Sequence, residues 1–90
     1  MALTKSLARE LAPENVTINC ICPGPTRTPL LEQEMIDNPK LIEKLIRAVP
    51  MRRAGEVEDM ARAIAFFASP AASYITGQIL SVSGGLTMVG

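Results

Sequence analysis

Residues 20–28 read Cys20-Ile21-Cys22-Pro23-Gly24-Pro25-Thr26-Arg27-Thr28, and the architecture of the whole chain can be worked out from them. They close an apolar segment, Val16 to Cys22, with apolar side chains on alternate positions and Ile21 added on the other face. So continuous a pattern suits a parallel strand covered on both sides. Pro23 has no N–H to give to a ladder, so the strand is expected to stop there. Gly24 allows a tight turn or a close backbone approach. Thr26 and Thr28 set two hydroxyls just past the carboxyl end of the strand, the rim where open α/β sheets hold their ligands. Taken alone, Thr28 serves equally well as the cap of a following helix, and Thr26 as an ordinary turn residue.

Upstream, Leu3, Leu7 and Leu11 recur every four residues and Ala8 broadens the stripe, which predicts a helix over 2–12. Pro13 ends it. Downstream, Thr28-Pro29 and Asn38-Pro39 each join a favoured cap to a proline at the first helical position. They predict one helix from 29 to about 37 and another running to Pro50, with Leu41, Ile42, Leu45, Ile46 and Val49 as its apolar stripe. A fourth helix is expected over Val57 to Ala68, with Val57, Met60, Ala61, Ile64, Ala65 and Ala68 on one face. Glu58 and Asp59 fall in its first turn, where the helix dipole favours negative charge. Gly77 makes a turn, 78–82 a short strand, Gly84-Gly85 a second turn, and 86–90 an apolar tail. The order helix, strand, three helices, strand describes an α/β chain with two parallel strands joined by a crossover.

Composition narrows the function classes. Nine basic and nine acidic residues balance to zero, which excludes the clustered cationic surface that nucleic acid or an anionic membrane would need. No apolar run reaches the ~18 residues that span a bilayer. The opening segment turns charged at Lys5, unlike a secretory leader, and a cytoplasmic location is expected. Cys20 and Cys22 stand two apart on a strand and share a face, a spacing unlike the C-x-x-C of redox and zinc sites. They are expected to be small buried side chains, and with no histidine in the chain no metal site is expected. A chain of 90 residues buries only about 60–65% of its unfolded surface, near the lower limit for folding alone.

Four stretches, in order, resemble the short-chain dehydrogenase/reductases, which oxidise alcohols or reduce ketones with NAD(H) or NADP(H). Leu3-Thr4-Lys5-Ser6-Leu7-Ala8-Arg9-Glu10-Leu11 is similar to the end of that family's catalytic helix, and Cys20 to Thr28 to its late strand and Pro-Gly loop. Pro50-Met51-Arg52-Arg53-Ala54-Gly55-Glu56-Val57-Glu58-Asp59 resembles the entry to its last long helix. Ser73-Tyr74-Ile75-Thr76-Gly77-Gln78 and Val82-Ser83-Gly84-Gly85 resemble its last strand and closing turn. The resemblance is nearest to the 3-oxoacyl-carrier-protein reductase type. It implies that 1–90 is the C-terminal part of a doubly wound Rossmann-type fold, incomplete as a domain, with 29–49 as a substrate-lid insertion.

The same resemblance implies roles. Pro23 and Gly24 would line the nicotinamide, the Thr26 backbone and Thr28 hydroxyl would bind its carboxamide, and the backbone near Leu30 would approach the pyrophosphate. Leu31, Met35 and Ile36, with Leu30, would offer apolar contacts from the lid; the alternative is a helical pair packed permanently on the core. The helix at 57–68 and the strand at 78–82 would form a homo-oligomer interface, and of Ile64, Phe66 and Phe67 at least one should be surplus apolar surface. The family's glycine-rich T-G-x-x-x-G-x-G turn, catalytic serine and Y-x-x-x-K pair are absent from these residues, so no catalytic residue is assigned; NAD or NADP is expected in a full-length context, and binding by this chain alone stays open. Tyr74, with no nearby lysine, is expected to pack. Arg52 and Arg53 read as a solvated pair, as partners of Glu58 or Asp59, or as a site for an anionic substrate tail. Glu56 and Val57 replace a frequent Thr-Pro and should weaken the helix cap by about 0.5–2 kcal/mol unless something compensates. Two function classes stand: a piece of an NAD(P)-dependent oxidoreductase acting on an alcohol or ketone, and a non-catalytic α/β interaction module.

Overall fold

The computed structural model describes residues 1–88; residues 89 and 90 of the expected apolar tail lie outside the described residues. Helix α1 (Ala2–Leu11) leads through a 3₁₀ turn (Ala12–Glu14) toward strand β1 (Cys20–Pro23). Helices α2 (Pro29–Asp37) and α3 (Pro39–Ala48) follow, then α4 (Val57–Ala68), a second 3₁₀ turn (Pro70–Ala72) and strand β2 (Ile79–Val82). The two strands pair in parallel, Cys20 opposite Ile79 through Pro23 opposite Val82, as the sequence led one to expect.

β1 starts later than Val16 and reaches Pro23, a correction with two physical reasons. Residues 18 and 19 bind the 75–78 turn by one backbone bond, from the Gly77 N–H to the Ile18 carbonyl at 2.7 Å, and otherwise through side chains. The Ile18 N–H donates to Thr76 Oγ1 at 3.0 Å, and the Asn19 amide brackets the turn, donating to the Ile75 carbonyl at 3.0 Å and accepting from the Gln78 N–H at 3.0 Å. At the other end, the N–H groups of Cys20 and Gly24 donate to the Gln78 and Val82 carbonyls, both at 2.9 Å. Alternate residues of a strand point their amides to the same side. Pro23 therefore lies with its missing N–H away from β2, where it breaks nothing.

Helix boundaries agree with the capping signals. Thr28 is extended and its Oγ1 accepts from the Leu31 N–H at 3.3 Å, with Pro29 at the first helical position. Pro39 opens α3 in the same way, although the Asn38 side chain donates back to Glu34 at 2.9 Å rather than capping forward. At α4 the Asp59 carboxylate takes the Glu56 N–H at 2.7 Å, a reciprocal capping arrangement that compensates for the missing Thr-Pro.

Packing departs further from the periodicity. α4 lies against the sheet through Met60, Ala63 and Phe67, whereas Val57, Ala61, Ile64, Ala65 and Ala68 are exposed. The apolar stripe expected to face the core is thus mostly the outer face, and the spacing 60, 63, 67 is the one that meets the sheet. In α3, Ile42 is buried and Ile46 half-buried, with Val49 buried just past the helix end, while Leu41 and Leu45 face solvent; in α1, Ala8 is buried and Leu3 exposed. Tyr74 does not pack: it is fully exposed at 101%. Cys20 and Cys22 are free thiols and half-buried rather than buried.

The tightly buried set is Ala8, Ile42, Val49, Ala72 and Ser83. So small a core goes with an extended shape of 50 × 21 × 20 Å and a radius of gyration of 15.7 Å. A compact domain of this length would have about 12 Å. Each strand keeps one outer edge without a neighbour among the described residues.

Candidate functional site

The turn after β1 is built by its own hydroxyls and by a distant glycine. Thr26 Oγ1 donates to the Gly24 carbonyl at 2.9 Å and the Thr28 N–H donates to the Thr26 carbonyl at 2.8 Å, which folds 24–28 tightly. Gly55 then clasps it from the other side. The Arg27 N–H donates to the Gly55 carbonyl at 2.7 Å and the Gly55 N–H to the Pro25 carbonyl at 2.8 Å, an isolated parallel bridge centred on Thr26 and Gly55.

This arrangement leaves donors facing outward. The Thr26 N–H has no acceptor among the described residues. Thr28 accepts from Leu31 only at 3.3 Å, and its own hydroxyl proton stays available. Leu30 follows Pro29 in the first turn of α2, where an amide has no intrahelical acceptor. Pro23, Gly24, Thr26, Thr28 and Leu30 are therefore brought to one end of β1. Removing the Thr28 cap is testable: Thr28→Ala should lower stability by about 0.5–1 kcal/mol in urea titrations, the lower part of the range because the bond is long.

The apolar positions proposed for a lid divide. Met35 lines a groove of about 290 Å³ between α2 and α3 with Pro39, Ile42 and Ile46. Leu31 is half-buried, while Leu30 and Ile36 are exposed. A cleft of about 560 Å³ lies elsewhere, between the start of α4 and β2, with Arg53, Met60, Arg62, Leu80 and Gly84 on its walls. None of the residues expected to hold the cofactor or form the lid lines it; Arg53, one of the pair read as open to an anionic tail, does.

Charge concentrates where α4 begins. Arg53 pairs with Asp59 at 3.1 Å and Arg62 approaches the same carboxylate at 3.6 Å. Of the readings open for Arg53, the pairing with Asp59 is present, and the side chain remains half-exposed. Arg27, on the turn, reaches Glu32 at 3.8 Å and Glu56 at 3.7 Å, both solvent-exposed contacts of small worth. The Glu56 N–H foremost, and then the Arg53 guanidinium, hold the Asp59 carboxyl below its ordinary value of 3.8. A depressed carboxylate stabilises the fold above its unfolded pKa, and that contribution is lost as pH falls through the folded value. That contribution should therefore be complete above the ordinary value of 3.8 and be lost as pH falls below it through the lowered folded value, and Asp59→Asn should flatten that dependence in amide-resolved titrations.

Sequence reasoning missed Gly55, Arg27 and Asp59 as parts of this site. Gly55 reads locally as a turn residue, and nothing in its neighbours signals a bridge to residues 25–27.

Among known proteins, the family model described as enoyl-(acyl carrier protein) reductase matches residues 1–87. The 2,3-dihydroxy-2,3-dihydro-p-cumate dehydrogenase of Pseudomonas putida is 39% identical over 87 residues, covering 97% of this chain and 34% of that protein. The 3alpha-hydroxysteroid dehydrogenase of Mediterraneibacter gnavus is 49% identical over 82 residues, covering 91% of this chain and 32% of that protein. The crystal structure of YwfH, an NADPH dependent reductase involved in bacilysin biosynthesis, superposes with a TM-score of 0.85 at 39% identity, over 99% of this chain and 37% of that one. The structure of ElxO with NADP bound gives a TM-score of 0.86 at 33% identity, over 94% of this chain and 34% of that one. The chain spans about a third of the length of the curated relatives it matches. No helix among the described residues is long and apolar enough to cross a membrane.

Proposed function

The chain belongs to the short-chain dehydrogenase/reductase family, and from that premise we propose that residues 23–30 carry the nicotinamide end of NAD or NADP in an oxidoreductase that interconverts a secondary alcohol and a ketone. The observation that carries this reading is the donor set at the end of β1. Pro23 and Gly24 would lie along the ring, and the Thr26 N–H and Thr28 hydroxyl would hold the carboxamide, both being free to donate. The Leu30 amide would face the pyrophosphate, where a helix N-terminus favours negative charge. When bound, the nicotinamide supplies the hydride acceptor or donor. This chain's part is orientation: fixing which ring face meets the substrate. The segment 29–49, with Leu31, Met35 and Ile36, is the lid of this proposal, closing on the substrate and excluding water.

Hydroxyacyl and oxoacyl thioesters are the substrate class to test first; the description of the matching family model shares with them the acyl thioester but names an enoyl group. The 90 residues by themselves are proposed to be inactive. Their one tyrosine, Tyr74, has Gln78 rather than lysine four positions on, and no glycine-rich phosphate turn occurs. Titration of NADPH into the isotopically labelled chain tests the reading. Weak binding, of about millimolar Kd or −4 kcal/mol, should shift the amides of 24–30, and Thr28→Val should abolish those shifts. Shifts confined to other residues would count against the shelf, and oxidation of NADPH with a ketone by the pure chain would end the claim of inactivity.

A second reading, self-association through the helix at 57–68 and the strand at 78–82, is favoured by the outer face of α4. Ile64 is 55% and Val57 54% exposed, seven residues apart on the same side of the helix. Such an apolar face is usual for a surface that meets a partner. Ile64→Asp should shift sedimentation equilibrium toward monomer by about tenfold in Kd, equivalent to 1.4 kcal/mol.

A further inference from the structure

On the reading of 23–30 as a nicotinamide shelf, we propose that Asp59 is a positioning residue for that shelf, acting from the first turn of α4 through Gly55. The chain of contacts is continuous. The Asp59 carboxylate accepts the Glu56 N–H at 2.7 Å and the Arg53 guanidinium at 3.1 Å, so it fixes the backbone on both sides of Gly55. Gly55 in turn exchanges two short backbone hydrogen bonds with the turn, at 2.7 and 2.8 Å, on either side of Thr26. A methyl group on Gly55 would sit 3.7 Å from the Pro25 carbonyl and 3.8 Å from Asp59 Oδ2, which places that glycine between the carboxylate and the turn.

The turn has few other holds. Apart from the Gly24 N–H to the Val82 carbonyl, the hydrogen bonds from 24–28 to residues distant in sequence go to Gly55. The direction in which the Thr26 N–H and Thr28 hydroxyl point is thus set from the start of α4. Loosening Asp59 should leave the strand pairing in place and let the shelf swing.

Site-resolved amide hydrogen exchange on the whole chain tests this. In Asp59→Ala the amides of Arg27 and Gly55 should exchange at least about tenfold faster, while those of Cys20 and Gly24 in the ladder keep their rates. Asp59→Glu, which restores a carboxylate at the third helical position, should recover most of the protection. Unchanged exchange at Arg27 and Gly55, or an equal rise at all four amides, overturns the proposal. A separate titration keeps the underlying reading distinguishable. If Asp59→Ala frees Arg27 and Gly55 but NADPH shifts none of 24–30 in the parent chain, the clamp stands and the shelf assignment falls.

Discussion

Gly84→Ala should lower the melting temperature of this chain by about 10–20 °C, the larger of two effects that isolate how its small core is closed. Gly84 has φ +63°, the left-handed region where a side chain costs roughly 1–2 kcal/mol. The added methyl would also stand 2.8 Å from Val49 Cγ1 and 3.3 Å from Met51 Cβ. Val49 is the most completely buried large side chain of the molecule, and the Gly84 carbonyl accepts the Met51 N–H at 3.0 Å, so neither neighbour can withdraw without breaking the junction between α3 and β2. Overpacking of this kind costs typically about 1–3 kcal/mol, and the two contributions sum to about 2–5 kcal/mol. A thermal scan by circular dichroism reads the result directly. A fall under about 4 °C would mean that Val49 has room to move, and the close contact at Gly84 would lose its importance.

Gly24→Ala should cost about 2–3 kcal/mol, or about 10–15 °C in melting temperature, with no ligand present. Its methyl would meet Ser83 Cα and Cβ at 2.7 Å, and a backbone atom cannot swing aside as a side-chain tip can. Ser83 is itself pinned: its hydroxyl lies 2.9 Å from that of Ser81 and accepts the Thr87 N–H at 3.1 Å. The substitution would push β1 from β2 and open the ladder bond from the Gly24 N–H to the Val82 carbonyl. Chemical denaturation of the chain without cofactor is the discriminating measurement. If Gly24→Ala melted like the parent, the glycine would owe its place to ligand approach alone. A loss of the expected size means that the contact between strands demands it first.

How much of this was legible beforehand depended on the range of the interaction. Thr28-Pro29 and Asn38-Pro39 announced two helix starts correctly, the first through a cap and a proline, the second through the proline alone, since both act within one turn. Val57–Ala68 was also bounded correctly, from its apolar run and its acidic first turn. The extent of β1 was not, since Asn19 replaces ladder bonds with side-chain bonds to a turn more than fifty residues away. The inward face of α4 was also misassigned. Its outer and inner sides are both apolar, so periodicity alone cannot tell the sheet-facing stripe of Met60, Ala63 and Phe67 from the exposed one containing Ile64. Tyr74 went astray likewise: a lone aromatic between turns carries no periodic signal, and the structure leaves it in solvent.

At the candidate site the division is the same. Pro23, Gly24, Thr26, Thr28 and Leu30 are near one another in sequence, and a strand that ends in Pro-Gly gathers them with little help from elsewhere. Met35 meets Ile42 and Ile46 only because α2 and α3 fold into a hairpin, and Ile36, one residue on, is turned out to solvent.

The order of elements, their caps and the placing of two threonines beyond a strand end follow from the residues alone, because backbone preference and capping are settled within a few positions. Which face of α4 meets the sheet, and that Gly55 and Asp59 hold the turn at Thr26, belong to the tertiary structure. Those contacts join segments about thirty residues apart, and their partners are selected by packing and by the need of each backbone amide for an acceptor, neither of which leaves a mark in local sequence.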